Sequence, residues 1–214
     1  MREILYEDEM LILADKPAGI PVHETKDPKR MDFTRYLQEK LGYSELRTIN
    51  RLDLGTSGII ALGKNPEKNK EIDAIFKTAE KEYLLIGKGL PDWSENRFEC
   101  FIKDGNKRVS LVRSGGKKAI TIFNVLKTDK KQNLFLAKAK LLTGRRHQIR
   151  VSIASLGFPI LGDVLYGEGN PKIQRMYLHS YHLKVLKNDG SEIDVKCSPP
   201  PDFLNLFPQL TEDL

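Results

Sequence analysis

Arg51-Leu52-Asp53-Leu54-Gly55-Thr56-Ser57-Gly58-Ile59-Ile60-Ala61-Leu62 sets one carboxylate beside one guanidinium, at the mouth of a turn rich in small residues. An unbroken apolar run follows and reads as a buried strand. A reactive aspartate presented from such a rigid base is well placed for chemistry. A lone Asp beside an Arg, however, is ordinarily a turn former, a cap or a weak ion pair, so the rest of the chain has to decide. One decoy overlaps the stretch. Gly58 to Asn65 nearly spells a phosphate-cradling loop, but Asn65 stands where a metal-binding hydroxyl is needed, and the internal residues are apolar. Nucleoside triphosphate binding is therefore excluded.

Upstream, Ile4-Leu5-Tyr6 and Met10-Leu11-Ile12-Leu13 flank Glu7-Asp8-Glu9 and predict a β-hairpin with a charged turn. Phe33, Leu37 and Leu41 share a helical face that Gly42 ends. Asn65 caps a second helix with Pro66 in its first position and Glu67 next, where the dipole favours a negative charge. Lys81 to Ile86, Ala119 to Val125, Leu134 to Ala139 and Tyr177 to Val185 read as strands. A third helix is predicted over Arg146 to Leu156. Strands outnumber helices and seldom alternate with them, so the expected class is α+β, with a mixed, mostly antiparallel sheet flanked by helices and loops.

The chain has 214 residues and a net charge of +6, with 40% hydrophobic and 30% charged residues. That composition suits a folded chain. No apolar run reaches the roughly 20 residues needed to cross a bilayer, and Met1-Arg2-Glu3-Ile4 has no signal-peptide core. Cys100 and Cys197 alone make neither a disulfide framework nor a metal spacing, which points to a reducing, cytoplasmic setting. His179 and His182, three apart on a strand, face opposite ways, so no metal is expected. A basic surface gathers polyanions, but charge alone does not choose between RNA, DNA and neither.

Two further constellations carry chemistry. In Lys81-Glu82-Tyr83, alternation puts Lys81 and Tyr83 on one strand face. A strand tyrosine is commonly core packing, yet its phenol offers both a stacking face and a hydroxyl. In Leu142-Thr143-Gly144-Arg145-Arg146-His147-Gln148-Ile149-Arg150-Val151, cations gather at a predicted helix start, where the dipole disfavours them. A solvated face is the plain reading, and a nearby anion the functional one. Lys117, Lys118, Lys127, Lys130 and Lys131 sit in turn-like positions that suit either phosphate contacts or solvation.

These motifs, in this order, resemble those of the RluA-type RNA pseudouridine synthases: Arg-Leu-Asp-x-x-Thr-Ser-Gly, Lys-x-Tyr, and Thr-Gly-Arg-x-His-Gln-(Ile/Leu)-Arg-Val. The similarity runs from Lys16-Pro17-Ala18-Gly19 to Pro199-Pro200-Pro201-Asp202. It implies one catalytic domain over residues 1–214 that isomerises uridine in ribosomal or transfer RNA. It makes Asp53 the nucleophile, Tyr83 the residue lying against the target base and Arg150 the charge partner of the aspartate. Arg145 and His147 match positions near the site or the RNA backbone. Arg146, one helical turn from Arg150, extends a basic strip, Lys81 shares the face of Tyr83, and Arg51 is suited to filling the gap left by an extruded base. The reaction has no redox change, so no cofactor is implied, and a monomer is the default.

The chain starts directly in catalytic-type sequence, which implies a stand-alone domain without the S4-type RNA-binding domain of many relatives. Two departures bear on the choice of RNA: Asn50 and Ser152 stand where the family often has His. Two rivals follow from the same residues. A non-catalytic RNA-binding module of the same fold dispenses with Asp53 and Tyr83. A glycosidase-like hydrolase needs a second carboxylate near Asp53, and the motifs supply none.

Overall fold

Strands β1 (Ile4–Glu7) and β2 (Leu11–Lys16) form the expected antiparallel hairpin. Asp8 closes it, because its Oδ1 accepts the N–H groups of Met10 and Leu11 at 2.8 and 2.9 Å. The computed structural model describes residues 3–24, 30–169, 173 and 175–208, so Met1 and Arg2 of the N-terminal reading lie outside it. Helix α1 (Phe33–Leu41) matches the prediction, with Asp32 accepting Arg35 N–H at its start and Gly42 ending it. Then come β3 (Arg47–Thr48), β4 (Ser57–Gly63) and α2 (Asn69–Lys77). A 3-10 turn, Pro66–Lys68, precedes α2 and is capped by Asn65 as predicted, with the α-helix proper starting three residues later. Every residue of β4 is buried, as the apolar run required.

The chain continues through β5 (Glu80–Lys88), β6 (Glu95–Lys103), β7 (Ser110–Val112), β8 (Lys117–Asp129) and β9 (Leu134–Leu141). It then forms α3 (Gln148–Ser155), β10 (Leu178–Leu186), β11 (Glu192–Lys196) and α4 (Pro201–Leu206). The class is α+β.

Two compact units divide the chain, Met1–Glu80 with Ser180–Ser198, and Lys81–His179 with Pro199–Leu214. In the first, the strand order is β1-β2-β4-β10, with β3 along β4 and β11 along β10. Its core joins Leu11, Leu13, Ile59 and Ala61 to Ile72, Ile75 and Phe76 of α2 and to Leu183, Val185 and Ile193. In the second, the order is β5-β9-β8-β6-β7, all antiparallel. There Val151 of α3 packs with Ile102, Val109 and Ala119.

Candidate active site

Asp53 stands on a loop of the first unit that four contacts build. Thr48 pairs with Leu62 and Ile49 N–H reaches the Ala61 carbonyl, extending the β3–β4 ladder. At the next residue a side chain takes over from the backbone. Asn50 Oδ1 accepts Ala61 N–H at 2.7 Å, and its Nδ2 donates to the Ile59 carbonyl at 3.4 Å. The backbone is thereby released from the strand while its partners stay satisfied. Arg51 then points to solvent, Leu52 is buried and Asp53 is half-buried. Thr56 N–H donates to the Asp53 carbonyl at 3.0 Å and closes a turn. A fourth contact comes from the Lys16-Pro17-Ala18-Gly19 break. Lys16 is wholly buried and its ammonium donates to the Pro17 and Ile20 carbonyls. Gly19 N–H, on the segment so curled, donates to Leu54 O at 2.8 Å.

In the second unit, Lys81 and Tyr83 share a face of β5, and Tyr83 pairs in register with Ala139. Tyr83 is 7% exposed. Burial lowers the pKa of Lys81 from the ordinary lysine value. Glu82, on the other face, meets Lys138 at 3.7 Å.

The basic motif is held from within by Gln148. Its Oε1 accepts the Thr143 hydroxyl and Arg145 N–H, and its Nε2 donates to Ile120 O and the Thr121 hydroxyl on β8. Helix α3 begins at Gln148, two residues later than predicted, because His147 takes a left-handed conformation with φ 51°. Arg145 and Arg146 therefore lie outside the helix. Arg145 Nε donates to Lys118 O at 3.0 Å, and Arg146 fans across the carbonyls of Gly105, Asn106 and Lys107 at 2.7–3.0 Å. Neither arginine stands at the helix start, and backbone carbonyls supply partial negative charge to both guanidinium groups. Arg146 and Arg150 do not form one exposed strip either, since Arg150 is buried.

Arg150 meets Asp163 through two parallel bonds, Nε to Oδ2 and Nη2 to Oδ1, both 2.8 Å. Tyr166 lies against the guanidinium, 5.2 Å from ring centre to Cζ. The Tyr166 hydroxyl accepts Val109 N–H at 2.8 Å and sits 2.9 Å from His147 Nδ1. In sequence, the Gly- and Pro-containing run Gly157 to Asp163 with Tyr166-Gly167 reads as turn and core support. The structure makes Asp163 and Tyr166 direct partners of Arg150 and His147. The compact run Gly162-Asp163 with Tyr166-Gly167, so soon after Arg150, was the available signal. His182, read as structural, meets Asp194 at 2.7 Å, and His179 packs against the Phe203 ring.

Residues 10–155 match a family model described as RNA pseudouridylate synthase. The chain belongs to the RNA pseudouridylate synthase family. Pseudouridine synthases are isomerases, and this chain is one. An uncharacterized RNA pseudouridine synthase of Bacillus subtilis (strain 168) is 32% identical to it over 213 residues, covering 95% of this chain and 70% of that protein. The ribosomal large subunit pseudouridine synthase D of Borreliella burgdorferi is 34% identical over 222 residues, covering 96% and 65%. The structure titled human RNA pseudouridylate synthase domain containing 1 has a TM-score of 0.81 at 22% identity, covering 100% of this chain and 94% of that one. It shares the fold.

In this pseudouridine synthase, both departures from the family motifs have internal partners. Ser152 is buried and its hydroxyl faces Cys100 Sγ at 4.0 Å. Asn50 holds the aspartate loop. Asn50→Ala strands the N–H of Ala61, a fully buried residue, and an unmet buried donor costs about 1–3 kcal/mol. Denaturant unfolding is expected to show a loss of that size, with faster hydrogen exchange at the Ala61 amide. Unchanged exchange there excludes the side-chain lock.

Proposed function

We propose that this synthase converts specific uridines of ribosomal or transfer RNA to pseudouridine, with Asp53 as nucleophile. The match over residues 10–155 carries the reading, because that span contains Asp53, Tyr83 and Arg150 within their motifs. The target uridine leaves its stack, at a cost of about a few kcal/mol that is least in a loop. The Asp53 carboxylate adds to the nucleoside and divides one hard step into easier ones. Uracil detaches, turns and rejoins the sugar, and the bond to Asp53 breaks to return the free carboxylate. The N1–C1′ bond breaks and the C5–C1′ bond forms, while C5 loses its proton and N1 gains one. Tyr83 stacks on the base and assists removal of the C5 proton. Arg150 is the charge partner of Asp53. Arg51 fills the gap in the RNA stack, and Arg145, Arg146, His147 and Lys81 face the RNA around the site. Residues 1–214 act as one catalytic domain, in the cytoplasm, as a monomer and without a cofactor.

The test uses bulk ribosomal and transfer RNA, labelled with tritium at uridine C5, from cells lacking the protein. Purified enzyme is expected to release tritium to water, and mapping is expected to place pseudouridine at discrete positions. RNA binding without tritium release identifies a non-catalytic module instead. Release of free uracil identifies a hydrolase.

A further inference from the structure

We propose that Asp163 is a positioning residue for the reaction, acting through Arg150; this rests on the role given to Arg150 above. Asp163 is fixed before it fixes anything else. Its side chain has no exposure. Its Oδ1 accepts Arg150 Nη2 and the N–H groups of Leu165 and Tyr166, at 2.8, 2.9 and 3.2 Å, and Oδ2 accepts Arg150 Nε at 2.8 Å. Burial alone raises this carboxyl, but the hydrogen bonds and charge of Arg150, with the two backbone donors, outweigh it and hold the pKa below the ordinary aspartate value.

The preceding backbone leaves it no latitude. Gly162 has φ +79°, and a Cβ there meets the Arg175 carbonyl oxygen at 1.9 Å. Asp163 O also accepts Gly167 N–H, closing the turn that follows.

A rigid carboxylate in a two-point contact orients a guanidinium in its plane. The contact occupies one edge of Arg150, and Tyr166 covers its face. Two of the five guanidinium N–H groups are committed to Asp163, and the other three are aimed by that commitment. Stability does not call for such a pair, because buried ion pairs are commonly replaceable by apolar residues without loss. Fixing the direction of one arginine does call for it. The Tyr166 hydroxyl extends the bracket to His147 and Val109.

Asp163→Asn keeps the side-chain shape and one acceptor but turns the second acceptor into a donor facing Nε. With the tritiated RNA as substrate, kcat is expected to fall about 10- to 100-fold, the scale seen when a group orienting a metal ligand is lost. KM is expected to hold within about two-fold, because the substituted atoms are buried. In an Arg150→Ala background the same substitution is expected to cost nothing more, the signature of a residue acting only through another. Wild-type kcat in Asp163→Asn overturns the proposal, and so do independent, additive losses. A second measurement needs no variant and no activity. In the intact wild-type protein the Arg150 Nε–H resonance is expected to exchange slowly and to be as rigid as the α3 backbone. An Arg150 as mobile as exposed Arg51 overturns the proposal even if the variant fails to fold. Should the RNA show no tritium release at all, the proposed function fails while this signal still reports on Asp163.

Discussion

Asp53→Asn is expected to abolish pseudouridine formation while RNA binding persists. The amide matches the carboxylate in size but is no nucleophile, so the covalent step is lost rather than slowed by misplacement. Removing a nucleophile typically lowers kcat by about four orders of magnitude or more. The loop gives the substitution a clean background. The turn closes through the Asp53 backbone carbonyl, Leu54 is held through its carbonyl, and Asn50 supplies the bonds to β4. The thermal midpoint is therefore expected to stay near that of the wild type. Tritium release and a gel-shift titration on the same RNA separate the two effects. Undiminished product removes Asp53 from the role of nucleophile.

Gly58→Ala is expected to have the largest effect on folding. Gly58 is the second residue of β4, two residues past Thr56, which closes the aspartate turn, and has φ +100°. L residues meet that region with strain of about 1–2 kcal/mol. A Cβ at this position lies 2.2 Å from the Ser180 carbonyl oxygen and 2.8 Å from Ser180 C and N. The obstacle is the backbone of β10, which has no rotamer to change. Strain and clash together exceed about 3 kcal/mol, the range reserved for core or backbone disruption, and a chain of this size then melts roughly 10 °C lower. Gly144→Ala is the control, since a Cβ there meets nothing within 4 Å. Calorimetry checks both, and a Gly58→Ala protein as stable as the control refutes the close approach.

Periodicity made much of this fold legible. The α1 stripe of Phe33, Leu37 and Leu41, the charged turn at Asp8 and the buried run Ile59 to Leu62 all leave regular traces that a strand or helix must show. Strand β6, which lies between β8 and the short β7, left a weaker one, because its residues alternate between exposed and half-buried almost to the end. The site was legible as residue types in order but not as partnerships. Arg146 binds carbonyls 39 to 41 residues away and Gln148 reaches 28 residues back to Ile120, and bonds to backbone carbonyls place no constraint on which residue type supplies them. Asp163 was legible only as turn and core support for a related reason. Aspartate beside glycine is what any turn contains, and only the Arg150 geometry separates this one from the rest.

The return of Ser180–Ser198 to the first unit bears on how the chain is made. β4 is buried throughout, and of its neighbours β2, β3 and β10 the last belongs to this late segment. On the ribosome the first eighty residues emerge with β4 paired to β2 and β3 but still lacking its β10 neighbour. At about 5–20 residues per second, the intervening Lys81–His179 takes on the order of 5–20 s to synthesise. Through that interval the aspartate loop is tethered to an unfinished sheet, of the kind that holding chaperones recognise. The carboxylate proposed above as the nucleophile is thus made early and set in place late.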